Sequence, residues 1–152
     1  MKKVMTILLA LILASCAAKE TKKMPNIPLE PPQVVEQGYL KISQQAHYYA
    51  DINSVWAESG KRHLVYFDIV INMTKGLYNF DDPTIYAKSM RQSKVINCQT
   101  YQLTQLNTDY YSDFWGKGER SSLKKQRQRT IKLRKGSSLY TLSEILCVNL
   151  MR

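Results

Sequence analysis

The chain has 152 residues, with 22 Lys and Arg against 12 Asp and Glu, a formal net charge of +10, and only 3 Cys and 2 His. That length allows one domain with a modest core, and neither His47 nor His63 stands at ligand spacing from a cysteine, which argues against a zinc site. No phosphate-binding glycine loop or nucleophile elbow occurs, so nothing in the chain argues for catalysis or for a cofactor.

The first residues fall into three zones. Lys2 and Lys3 are followed by an almost unbroken apolar run from 4 to 13, and then by Leu13-Ala14-Ser15-Cys16. The run is well short of the ~20 residues a membrane-spanning helix needs and matches the apolar part of a secretion signal. Small residues directly before a cysteine form a lipobox. Residues 1–15 therefore read as a lipoprotein signal peptide, and Cys16 as the lipid-modified first residue of the mature chain. The alternative is an ordinary signal cut near Ala14. Each buried CH₂ of an acyl chain contributes ~0.8 kcal/mol, so a triacylated cysteine anchors in effect permanently. Ala17, where an Asp would favour inner-membrane retention, points to the outer membrane of a Gram-negative envelope. Residues 16–33 are polar and rich in Lys and Pro, and read as a tether. Residues 34–152 then form a single domain.

From Gly38 onward the chain is rich in Tyr, Val, Ile and Thr in short alternating runs, which predicts strands. Residues 38–49 make a first strand. Residues 64–72 (LVYFDIVIN) make the strongest, with Val65, Phe67, Ile69 and Ile71 on one wholly apolar face that should point to the core. Residues 58–62 form a hairpin turn leading into it, and 74–76 a turn leading out. A short strand at 77–80 ends at Asp81-Asp82-Pro83, and further strands follow at 89–97, 100–111 and 126–134. After Gly136, Ser137-Ser138 offers an N-cap, and Leu139, Leu142, Ile145, Leu146 and Leu150 recur at helical spacing. The expected fold is α+β: an antiparallel sheet of about six strands with one C-terminal helix packed on it. Cys98 and Cys147 are an even pair in an exported chain, where disulfides persist. A bridge between them would staple the helix to the sheet; two buried free thiols are the alternative.

The positive charge is local. Residues 117–135 hold nine cations and one acid, Glu119, which accounts for the whole excess of the chain after residue 15. Lys117, Arg120, Lys124, Lys125, Arg127 and Arg129 form its basic patch. Export takes the protein away from nucleic acid, so the choices are a solvated face or attraction to anionic glycans, acidic lipid headgroups or acidic protein segments. Tyr101, Tyr110, Tyr111, Phe114 and Trp115 crowd the region before it, a composition found at interfaces as well as in cores. Asp81 and Asp82 look like a catalytic pair but precede a proline in a turn, which favours structural duty. His47 beside Tyr48 and Tyr49 could ligate haem iron, and a packed aromatic strand explains the same residues.

Many of these residues recur together in a known family. Gly38-Tyr39, Tyr48-Tyr49 with Asp51, Ser54 and Trp56, Phe67-Asp68, and Lys75-Gly76-Leu77-Tyr78 open the set. Tyr86-Ala87 with Ser89, Arg91-Gln92, Lys94, Asn97-Cys98, Tyr101, Leu103-Thr104-Gln105 and Thr108-Asp109 continue it. Phe114-Trp115-Gly116, Lys124-Lys125-Gln126, Leu139-Tyr140 and Cys147 close it. In these the chain resembles the surface-adhesin protein E family of outer-membrane lipoproteins. The resemblance implies an antiparallel sheet with a C-terminal helix tethered through Cys98 and Cys147, a chain able to form homodimers, and adhesion to host vitronectin and laminin that aids complement resistance. It maps vitronectin binding onto about residues 84–109, with Lys88, Arg91, Lys94 and Tyr101, and laminin and epithelial binding onto residues 39–58, with Tyr39, Tyr48, Tyr49 and Trp56. A periplasm-facing envelope lipoprotein and a haem-binding surface lipoprotein are the alternatives.

Overall fold

The alternating run at 64–72 lies at the middle of the sheet. The computed structural model describes residues 27–61, 63–77, 80–82, 84–122 and 126–150. Within them are strands β1 (Ile27–Pro28), β2 (Tyr39–Lys41), β3 (Tyr48–Ala57), β4 (Leu64–Leu77), β5 (Ala87–Asn97), β6 (Gln102–Tyr111), β7 (Arg120–Ser122) and β8 (Arg129–Lys132). Helix α1 (Ser138–Leu150) follows them. The sheet runs in the order β2-β3-β4-β5-β6-β7, with β8 also paired to β6 and β1 to β4. Every pairing is antiparallel. Short hairpins and bends connect neighbours, so the topology is a meander.

Alternation assigns each residue of this sheet to one of two faces. Val65, Phe67 and Ile69 are at most 2% exposed and share a core with Ile42, Ala50, Ile96, Leu103 and Leu133. Helix α1 covers that core through Leu142 and Cys147, with Leu139, Tyr140, Leu146 and Leu150 packed at its margin. Burying one such aliphatic or aromatic side chain contributes about 1.5–3 kcal/mol. Ile145, expected in the helix's apolar stripe, is 51% exposed. At 100° per residue it lies about 120° from the line through Leu139, Leu146 and Leu150, so it misses the core.

Among the described residues, a disulfide and a ring stack fix α1 to the sheet, and a cap closes its start. Cys98 and Cys147 form a disulfide across a sequence separation of 49, which on the chain-entropy view removes about 4 kcal/mol of unfolded-state freedom. Tyr101 stacks on Tyr140 with ring centroids 4.9 Å apart. At the helix start the Ser137 hydroxyl accepts the Tyr140 amide at 3.3 Å, so Ser137 is the capping residue.

Four local expectations are revised. Residues 38–49 are not one strand: the polar run Ser43-Gln44-Gln45 turns the chain, and the Ile42 amide bonds back to the Tyr48 carbonyl at 3.0 Å. Residues 74–76 are not a turn but the end of β4, because Lys75 and Gly76 pair with Pro28 and Ile27 of β1. A Cβ on Gly76 would stand 2.7 Å from the Tyr86 ring, so the residue that reads as a turn former serves close packing. The short strand expected at 77–80 does not follow: Leu77 is the last residue of β4, Phe80 lies in a bend, and residues 78–79 are outside those described. Finally, the stretch read as tether contributes β1, the Leu29 amide bonds to the Thr74 carbonyl at 2.9 Å, and Pro31 is buried.

Candidate functional site

Strand β5 carries the three cations mapped to vitronectin binding, and alternation separates them. Lys88 and Lys94 project from the face that α1 partly covers, and Arg91 from the opposite face. The Arg91 guanidinium donates to Asp51 Oδ2 at 2.7 Å and to Asp68 Oδ2 at 3.0 Å from one nitrogen, and to the Tyr39 hydroxyl at 3.3 Å from another. Burial alone would lower its pKa, but the hydrogen bonds to the two carboxylates outweigh that and raise it. Lys94 has the opposite surroundings. It is 5% exposed, donates only to Gln105 Oε1 at 3.2 Å, and has no carboxylate within ion-pair distance among the described residues. Burial pushes its pKa down to about 8. Lys88 is the most open of the three, its side chain 32% exposed, paired with Asp113 at 3.2 Å and lying 5.9 Å from the Tyr86 ring centroid.

The aromatics mapped to laminin binding divide in the same way. Tyr49 is buried against Trp115, with ring centroids 4.6 Å apart. Tyr39 packs on the same Trp115 at 5.0 Å and donates its hydroxyl to the Trp115 carbonyl at 2.9 Å. Tyr48 is half-buried beside Lys94 on the helix side. Trp56 is 52% exposed and stacks on Tyr66 at 4.2 Å with ring planes 8° apart. It is the one ring of the four placed to meet a partner without rearrangement. Tyr101 is committed to Tyr140, in a backbone conformation with φ of 53°.

The basic stretch lies along one edge of the sheet. Strands β7 and β8 pair with successive parts of β6, at 109–111 and 102–105. Between them the Gln126 side chain accepts the Thr108 amide and donates to the Thr108 carbonyl at 2.7 Å, taking the place of a strand residue. Arg120 is tied to Asp109 at 2.9 Å, and Lys117 to Glu36. Arg127, Arg129, Lys132, Arg134 and Lys135 are exposed. Lys124 and Lys125 are outside the described residues, as are the signal segment, Cys16 and Ala17.

The remaining candidates do not assemble into a reactive site. The Asp82 carboxylate accepts the Thr84 amide at 2.7 Å and its hydroxyl at 2.6 Å, bonds that hold its pKa below the usual range and tighten a turn. His47 and Tyr48 line two different clefts, one with Asn72 and Lys75 and the other with Lys94 and Arg129. They therefore do not converge on one ligand.

Comparison with known proteins places this architecture. A family model described as surface-adhesin protein E matches residues 38–148. The chain belongs to the surface-adhesin protein E family. It is 40% identical over 150 residues to surface-adhesin protein E of Haemophilus influenzae strain NTHi 3655, covering 98% of this chain and 94% of that protein. The same protein of strain Rd is 39% identical over equal coverage. A crystal structure of protein E from non-typeable Haemophilus influenzae superposes with a TM-score of 0.78 at 40% identity, covering 84% of this chain and 86% of that one. A second protein E structure gives 0.77 at 41% identity, covering 82% and 95%. The relatives are named as adhesins, a non-enzymatic class, and the chain is accordingly an adhesin-family protein and not an enzyme.

Within that family fold, sequence reasoning missed the cluster centred on Arg91. Its signal was present: Asp68 is the one acid inside the 64–72 alternation, and Asp51 sits directly across from it in the ladder. Composition leaves Trp115 open between interface and core, and the fold buries it. It forms the lid of this face, its backbone amide donating to Asn72 Oδ1 at 2.9 Å.

Proposed function

We propose that the chain is a lipid-anchored outer-membrane adhesin, held by Cys16 and displayed on the cell surface, that binds host matrix and serum proteins, vitronectin and laminin among them. Such binding would support attachment and complement resistance. The observation that carries this reading is the exposed cationic edge of β8 and its flanks, on a domain whose relatives are adhesins along nearly its whole length. An edge of one charge sign attracts acidic partner segments at long range, and salt screens it beyond ~10 Å at 0.1 M. Lys88 and Trp56 extend the accessible contact surface, whereas Arg91, Lys94 and Tyr49 serve the domain's interior.

The test is a titration of the mature chain against immobilised vitronectin and laminin at low and high salt. Binding is expected at low salt, weakened by Lys88→Glu and by paired Arg127→Glu and Arg129→Glu; absence of binding at low salt would remove both partners. Protease treatment of intact cells should strip the domain from the surface. A protected domain would instead make this a periplasm-facing envelope lipoprotein. Cys16→Ala should release the protein from the membrane fraction, and retention there would overturn the anchor.

A further inference from the structure

Lys94 lies at the inner end of a cleft of about 250 Å³ between the sheet and the start of α1. Tyr48, Leu103, Ile131 and Leu139 make its apolar walls, and Gln92, Lys94, Gln105 and Arg129 supply its polar groups. We propose that this cleft is a binding site for a small carboxylate with an apolar body, the carboxylate meeting Lys94 and Arg129 and the body lying against Tyr48, Leu103, Ile131 and Leu139. The proposal concerns a small molecule and does not rest on adhesion to host proteins.

Three observations converge on it. First, an ammonium group has three N–H donors, and among the described residues Lys94 spends one, on Gln105. Gln105 is itself held, since its amide nitrogen donates to the Thr108 hydroxyl at 3.0 Å, which fixes its oxygen toward Lys94. Second, a charge buried without a counter-ion is costly, and an arriving anion removes that cost where apolar walls exclude water. Third, among the described residues that line the cleft, both charged groups have the same sign. Arg129 stands at the mouth on β8, and the first turn of α1, which contributes Leu139, adds the positive end of the helix dipole. Among the described residues lining the cleft, the titratable and charged groups besides Lys94 are thus Tyr48 from β3 and Arg129 from β8, while α1 contributes Leu139.

Size and lining select the ligand class. A cleft of about 250 Å³ matches a short fatty acid or a simple aromatic acid in scale. Hydrated divalent anions such as sulfate gain nothing from the apolar walls, so a carboxylate on a hydrocarbon body fits best.

The test uses the mature chain carrying ¹³C-labelled lysine, with hexanoate, benzoate and sulfate each titrated at constant ionic strength. The expected result is a saturable shift of the Lys94 Cε resonance with hexanoate and benzoate, with Kd on the order of 1 mM for ligands so small. Sulfate should fail to saturate it. In the presence of hexanoate the Lys94 titration should move upward from about 8 by one unit or more. Lys94→Met should abolish saturable binding of hexanoate followed by calorimetry, and Arg129→Gln should weaken it several-fold, each with an unchanged circular dichroism spectrum. Lys88→Gln should have no effect. No saturable shift with either acid, equal binding of sulfate, or undiminished hexanoate binding by Lys94→Met would each overturn the site.

Discussion

Arg91 and Lys94 stand three residues apart on one strand, and the protein treats them in opposite ways. Arg91 faces a wall of compensation, with two carboxylates, a tyrosine hydroxyl and the Trp115 lid. Lys94 faces the helix side with one neutral amide. A buried charge is tolerated when its hydrogen-bonding capacity is met by opposite charge, and otherwise gives up part of its proton affinity. One face of the sheet therefore spends its polar residues on holding itself together, and the other keeps an uncompensated cation beside an open cleft.

The contrast can be broken experimentally. The largest effect is expected from Arg91→Met, which leaves the buried Asp51 and the half-buried Asp68 without their cation and should destabilise the domain by about 3 kcal/mol in urea denaturation. A loss under 1 kcal/mol would show that water compensates that face as well as Arg91 does. Next, Cys98→Ala with Cys147→Ala should cost about 3 kcal/mol and loosen α1. In a Trp56→Phe background the near-UV signal of Trp115 should survive that change, because the Arg91 cluster lies on the other face; its loss would show that the two faces unfold as one.

Lys94→Met should act in the reverse direction, stabilising the domain by up to about 3 kcal/mol at pH 7, the equivalent of lowering a lysine from 10.5 to about 8. The sign follows from proton counting. Between about 8 and 10.5 the unfolded chain holds a proton on Lys94 that the native chain has released, so wild-type stability rises with pH across that window relative to the variant. Tyr39, Tyr48, Tyr49 and Tyr140, whose pKa values burial raises, lose stability for both proteins only above 10.0, and the difference between the two cancels them. A gap that stays constant from pH 7 to 10 would mean Lys94 is solvated. The smallest effect belongs to Trp56→Ala: about 1 kcal/mol or less on stability, from loss of its stacking on Tyr66, with any larger change read in binding to laminin.

Much of the architecture is legible in the sequence. Residues 64–72 announced the central strand because a period-two pattern with one wholly apolar face has a single way to bury it, and residues 139–150 announced the helix by the same logic at a period of 3.6. The family motifs lie within residues 38–148, the span the family model matches. What misled was local chemistry with two meanings. Lys75-Gly76 reads as a turn, yet β1 pairs there and Tyr86 needs the missing Cβ. Ser43-Gln44-Gln45 reads as continuation of a strand, yet the chain reverses through it.

For the functional surface, the sequence by itself determined the charge excess at 117–135, the absence of catalytic and metal motifs, and the pair of cysteines available for a bridge. Composition and spacing are properties of the chain alone, so they survive any fold. Which cations meet solvent was decided only by tertiary structure. Along β5 the lysine and arginine residues look equivalent, but strand parity sends them to different faces, and what waits there depends on residues far away in sequence: Asp51 and Tyr39 for Arg91, Gln105 and Arg129 for Lys94. Long-range packing sets the dielectric and the partners of each charge, and those settle whether a cation binds outward, holds the core, or waits at the bottom of a cleft.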